Sequence, residues 1–324
     1  MNWSTVAFLF PGQGSQLVGM GKDIADAYPV ARELFDRADA IVGFKLSKLC
    51  FEGAAEVLND TINTQPAIYV CSLAILAALR VELPTALPAV VAGHSFGELT
   101  ALAAIDALSF EDGLRLALER GRLMKMAGEL YPGAMAAVFN LDATTVSNLC
   151  TQAEMETNGV LVLANDNSPG QIVISGDEAT LERGLALMKQ AGAKRAMKLA
   201  VSIAAHSPIM APAAEAFGLA VRSAKLRPMR ATLYANVTAR PIYTTAEIQE
   251  ELDAQLMSSV RWRESVEAMI RDGVETFIEI GPKDVLTGLV SRIDANPSVI
   301  NLNSLEALQN FVAQQSVIAT GTEI

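Results

Sequence analysis

The stretch Pro88-Ala89-Val90-Val91-Ala92-Gly93-His94-Ser95-Phe96-Gly97-Glu98 constrains the fold more than any other. An apolar run ends in G-x-S-x-G and passes into a helical pattern, Leu99 to Leu108. Strand, sharp turn and helix in that order expose a serine hydroxyl at a helix mouth, where backbone N–H groups can stabilise an oxyanion. Both glycines must be small, because the turn is tight and packs closely on its neighbours. Ser95 is the candidate nucleophile.

Around this turn, helical and strand-like segments alternate, which predicts an α/β fold. Val6–Phe10 reads as a buried strand and Pro11–Gln16 as a loop. Helices are expected near Ala25–Ala40, Gln65–Val81, Leu99–Leu108 and Phe110–Ala127, with Ser109 capping the last. From Gly133 the texture changes. Strand-like Ala134–Asn140, Val160–Asn165, Gln171–Ser175 and Arg195–Leu199 interleave with helical Thr144–Glu154 and Ala179–Ala191. This β-α-β-β-α-β order is the ferredoxin-like signature. The expected organisation is a large α/β domain from residues 1–132 and 200–313, a small inserted domain at 133–199, and a mobile tail at 314–324.

The charge balance excludes one class of partner. A net charge of −11 leaves no basic stripe to neutralise nucleic-acid phosphates. No run of eighteen apolar residues predicts a membrane span, and Met1–Thr5 lacks the basic region of a signal peptide. Cys50, Cys71 and Cys150 are odd in number and widely spaced, as in a reducing, cytoplasmic compartment. With two histidines and no His/Cys cluster, no metal site is expected.

A serine hydroxyl needs a base. His94 adjoins Ser95 and should diverge from it, as a packing or orienting group at the edge of the substrate-binding site, which leaves His206 as the base. Gln13 follows the first strand in a glycine-rich loop. Leu17 occupies the third glycine position of a dinucleotide fingerprint, so the Gln13 and Phe96 N–H groups read better as an oxyanion hole. On the helix from Phe110, Arg120 falls within the apolar stripe of Leu114, Ala117, Gly121 and Met124. An inward guanidinium requires an anion: a structural carboxylate, or a carboxylate of the substrate.

These motifs occur in a diagnostic order: Phe8–Gln16 with Gly19-Met20-Gly21, Gly93–Glu98, Arg120–Met124, Asn167–Gln171, His206-Ser207, Ser259–Trp262 and Gly281-Pro282 with Val285–Leu289. Over about residues 5–295 the chain resembles the malonyl-CoA:acyl-carrier-protein transacylase family, including free-standing acyltransferases that serve polyketide synthases. The resemblance implies a hydrolase-like α/β domain with a ferredoxin-like insert. It implies that Ser95 carries the acyl group as an ester, that His206 is the base, and that Arg120 pairs with the malonyl carboxylate. Gln255 matches the position whose backbone carbonyl orients the histidine. Malonyl-CoA and an acyl carrier protein would be the substrates, with no bound cofactor. Phe96 stands where relatives using methylmalonyl often carry glutamine, which favours plain malonyl, whereas Ile203-Ala204-Ala205-His206 matches neither common extender tetrad.

A carrier protein is expected to be acidic, so docking needs local positive charge. Arg183, Lys189, Lys194, Arg195 and Lys198 form such a patch, or an ordinary solvated face. Three rival readings remain. An editing thioester hydrolase on this fold tends to lack the arginine. A true esterase would draw on Asp166 or Asp177, and a non-catalytic synthase subunit would not need Ser95, His206 and Arg120 together.

Overall fold

The computed structural model describes residues 1–320. Among the described residues, ten strands form two sheets: β1 (Val6–Phe10), β2 (Val90–Gly93), β3 (Ala134–Phe139), β4 (Leu161–Ser168), β5 (Gln171–Gly176), β6 (Arg195–Lys198), β7 (Thr232–Tyr234), β8 (Pro241–Ile242), β9 (Thr276–Ile280) and β10 (Ser298–Leu302). The larger sheet has the order β10-β9-β1-β2-β7-β8 and is parallel except for β8. β1 at its centre is buried along its whole length, as a strand covered on both faces must be. The smaller sheet, β4-β5-β3-β6, is antiparallel throughout, with the helices Ala143–Thr157 and Glu178–Gln190 packed on it. Its strand order is that of a ferredoxin-like unit.

The helix Thr61–Glu82 runs through the core. By length and composition it would pass for a membrane span, although no continuous apolar run marks it in the sequence. In the fold, 83% of its most apolar window is buried inside the protein, so its apolar surface is spent on packing. It begins at Thr61 rather than Gln65 because Asp60 caps the Ile62 amide. The helix expected near Ala25–Ala40 is two helices, Lys22–Ala27 and Pro29–Val42, with Tyr28 extended between them. Proline sits at the first position of the second, where its missing N–H is harmless.

The last helix spans Leu305–Thr320, so the tail expected to be mobile from residue 314 is helical as far as Thr320. Its final four residues lie outside the described ones. Leu308 and Phe311 bury against the main core and give that helix its anchor.

The two sheets are tied together beside the cleft. Asn165 forms a parallel bridge with Val260, Asp166 N donates to Val260 O (3.0 Å) and Val260 N to Ala164 O (2.8 Å). Arg263 clasps the buried Asp166 carboxylate at 2.8 Å. Thus β4 of the small sheet is stitched to the segment running from Gln255 to Arg263.

Candidate active site

The carboxyl ends of β1, β2 and β7 converge, as ligand sites in parallel sheets do. β2 delivers the elbow. Ser95 has φ 53°, a left-handed conformation costly for a non-glycine residue and held here by its surroundings. A Cβ on Gly93 would lie 1.9 Å from Gly97 C, and one on Gly97 would lie 2.2 Å from Phe10 O. Neither position accepts a side chain. Asn236, just past β7, pins the turn: its Oδ1 accepts from Ser95 N (2.6 Å) and its Nδ2 donates to Gly93 O (2.7 Å).

His206, also left-handed at φ 60°, places Nε2 2.7 Å from Ser95 Oγ. Its Nδ1 faces two carbonyls, Gln255 O (2.9 Å) and Ser258 O (3.1 Å). Carbonyls only accept, so Nδ1 carries the proton and Nε2 offers its lone pair to the serine. Burial, reinforced by the Arg120 charge, pushes the imidazole pKa down to about 3. It is therefore neutral, and a base, at neutral pH.

Arg120 is 1% exposed. It donates to Gln65 Oε1 (3.2 Å), Met124 Sδ (3.1 Å), Ser95 Oγ (3.2 Å) and Gln255 Oε1 (2.9 Å). All four are neutral. Its Nε is buried with no hydrogen-bond partner among the described residues. Burial lowers its pKa to about 10, partly offset by Glu98, so it stays charged.

Gln13 and Phe96 line the same cavity of about 240 Å³, and neither backbone N–H has a hydrogen-bond partner among the described residues. The Gln13 side chain instead donates to Thr61 Oγ1 (3.1 Å), which holds its loop in place. His94 turns away from Ser95, as adjacency predicts. Its Nε2 meets Asn167 Oδ1 at 2.7 Å, and its ring leans on Trp262 with centroids 5.4 Å apart. The remaining walls are largely apolar, among them Met135, Val173, Ile203 and Leu289.

Other expected residues fall elsewhere. Asp166 is taken by Arg263, and Asp177 caps a helix by accepting from Thr180 N (3.0 Å), so neither reaches His206. Lys194 and Arg195 are exposed, whereas Lys198 is tied between Glu178 (2.6 Å) and Glu182 (2.5 Å) and offers little free charge. Arg183 pairs with Glu156. The three cysteines are buried and their thiols shifted upward, Cys50 and Cys150 to about 12, so none supplies a thiolate.

Sequence reasoning missed Asn236, Gln65 and Ser258. The position of Asn236, two residues past a strand end, was the available signal.

An activated serine on an elbow, an imidazole oriented by carbonyls and two free amides define a serine acyl-transfer enzyme on an α/β scaffold. Residues 7–301 match the acyl transferase domain family, and the chain belongs to that family. A malonyl CoA-acyl carrier protein transacylase of Haemophilus influenzae is 42% identical over 309 residues, covering 94% of this chain and 98% of the relative. The crystal structure of an acyl carrier protein S-malonyltransferase from Vibrio cholerae superposes with a TM-score of 0.90 at 38% identity, covering 95% and 99% of the two chains. A malonyl-transacylase solved in complex with a type II polyketide-synthase acyl carrier protein gives a TM-score of 0.91 at 36% identity, covering 95% and 99%.

Proposed function

We propose that the protein transfers a malonyl group from malonyl-CoA to the phosphopantetheine thiol of an acyl carrier protein, by way of an ester on Ser95. His206 Nε2 takes the Ser95 proton as Oγ attacks the thioester carbonyl. The carbonyl oxygen becomes an oxyanion facing the Gln13 and Phe96 amides. The C–S bond then breaks, and His206 returns the proton to the departing CoA sulfur. In the second half-reaction His206 takes the carrier thiol's proton, the sulfur attacks the ester, and Ser95 Oγ leaves with that proton. Thioester and ester are close in energy, so the exchange runs both ways. The apolar walls limit hydrolysis of the intermediate.

The observation that carries this reading is Arg120. A buried guanidinium with only neutral partners, 3.2 Å from the nucleophile oxygen, suits a second carboxylate on the acyl group. An acetyl group leaves it unpaired, and an unpaired buried charge costs about 3–5 kcal/mol. The same imbalance favours a transferase over a general thioester hydrolase. Phe96, buried against the cavity, supports malonyl over bulkier extenders. The reaction needs no bound cofactor, because Ser95, His206 and the amides supply each step. Three free thiols suit a cytoplasmic setting. The proposed division keeps residues 133–199 as a small domain over the cleft, with Lys194 and Arg195 as carrier-facing charges.

The test is acyl loading of Ser95 followed by intact-mass spectrometry. Malonyl-CoA should add one malonyl mass to the parent protein and none to Ser95→Ala. Arg120→Ala should lower the malonyl rate by about a hundredfold or more while acetyl loading persists. An unchanged malonyl preference would remove the arginine from this role.

A further inference from the structure

Behind the elbow, two carboxyl groups face each other in the core. Glu98 has no exposed surface and Glu251 is 5% exposed. Consecutive amides after β7 hold them: Asn236 N donates to Glu98 Oε1 (2.6 Å) and Val237 N to Glu251 Oε1 (2.8 Å). Burial raises both acids, Glu251 to about 7, and the pair retains a proton at neutral pH.

The second oxygen of Glu98 accepts from Gln255 Nε2, which also donates to Ser95 O at 3.1 Å. A primary amide has one donor end and one acceptor end. With Nε2 committed to Glu98 and Ser95, Gln255 can turn only Oε1 toward Arg120, whose Nη2 donates to it at 2.9 Å.

We infer that Glu98, acting through the Gln255 side chain, sets the Arg120 guanidinium in the orientation that receives the acyl carboxylate, making both residues determinants of acyl selectivity. The inference rests on the reading of Arg120 given above. A neutral amide oxygen aligns Nη2 without neutralising the guanidinium. A carboxylate at position 255 would compete with the substrate for the same charge, and a hydrocarbon would let the guanidinium relax. Glu98 matters because both of its oxygens must accept. A glutamine there has one acceptor, and with its NH₂ toward Gln255 the second amide turns over, setting a donor against the Arg120 donor.

The experiment measures kcat/KM for malonyl-CoA and acetyl-CoA on Glu98→Gln, Gln255→Leu and Arg120→Ala, with concentrations set by active-site titration so that unfolded protein does not count. Gln255→Leu keeps the backbone carbonyl that holds His206. Both new variants should lower the malonyl-to-acetyl ratio by about tenfold or more, mainly through malonyl KM, and Glu98→Gln added to Arg120→Ala should lower it no further. A parental ratio in Gln255→Leu beside a collapsed ratio in Arg120→Ala overturns the inference. A parental ratio in Arg120→Ala overturns the carboxylate clamp itself, and this inference with it.

Discussion

Ser95 and His206 meet at 2.7 Å, and both do so from left-handed backbone conformations, φ 53° and 60°. Two strained residues facing each other show where the fold spends stability on geometry. Each is held by a different strand end or loop: the serine by Asn236, the histidine by the carbonyls of Gln255 and Ser258.

The low pKa of His206 makes a prediction about pH. A base active in its neutral form, with a pKa near 3, stays competent well below the ordinary histidine range. The kcat/KM for loading from malonyl-CoA, measured without carrier protein, should show no inflection near 6.5 between pH 8 and 5. Stability carries the opposite trend. The unfolded histidine binds a proton below about 6.5 and the folded one does not, so folding loses up to about 1.4 kcal/mol per pH unit from this group as pH falls from there toward 3. His206→Asn should flatten that part of a denaturant-midpoint profile.

Asn236→Ala removes the acceptor for Ser95 N and the donor to Gly93 O together. Two buried backbone groups are left unpaired, at about 1–3 kcal/mol each. The variant should melt several degrees lower, and the titrated, folded fraction should load malonyl at least about tenfold more slowly because the elbow relaxes. Normal loading by this variant would show that the strand end does not hold the turn.

Gly97→Ala places a methyl 2.2 Å from Phe10 O, a backbone atom that cannot swing aside. The expected result is loss of the folded protein, or a soluble form without covalent loading. Gly14→Ala is the matched control, since nothing lies within 4 Å of a Cβ there, although its φ of 105° carries a modest strain of its own.

Reversing Lys194 and Arg195 to glutamate should raise KM for the carrier protein about five- to tenfold and leave loading from CoA unchanged. Lys198→Glu should do less, because its charge is already shared by Glu178 and Glu182. Salt should shrink the difference between parent and double variant. Equal losses in both half-reactions would remove these residues from docking.

Ser95 and His206 were legible because each stands in a local pattern or by scarcity: one G-x-S-x-G after an apolar run, and one histidine away from it. Arg120 was legible by helical phase, a charge inside an apolar stripe. What escaped was made by long-range closure. Asn236 lies 141 residues from the amide it caps, and no local periodicity marks such a partner. The same holds for β10, whose Ser298–Leu302 joins the sheet edge beside β9 and carries little apolar alternation of its own. Proline was the clearest missed local signal, since Pro29 splits what periodicity alone reads as one helix. The tail was read from composition alone, whereas the last helix, anchored by the buried Leu308 and Phe311, extends into it as far as Thr320.

The stitching of β4 to the Gln255–Arg263 segment has a consequence for how the cleft can gape. Val260 grips the small sheet two residues from Ser258, whose carbonyl steadies the imidazole. Were the small sheet to swing outward and admit bulk solvent, the pull would travel straight to the proton acceptor. An ajar enzyme would thus be a disarmed one, and the labile ester would meet water only when nothing stands ready to activate it.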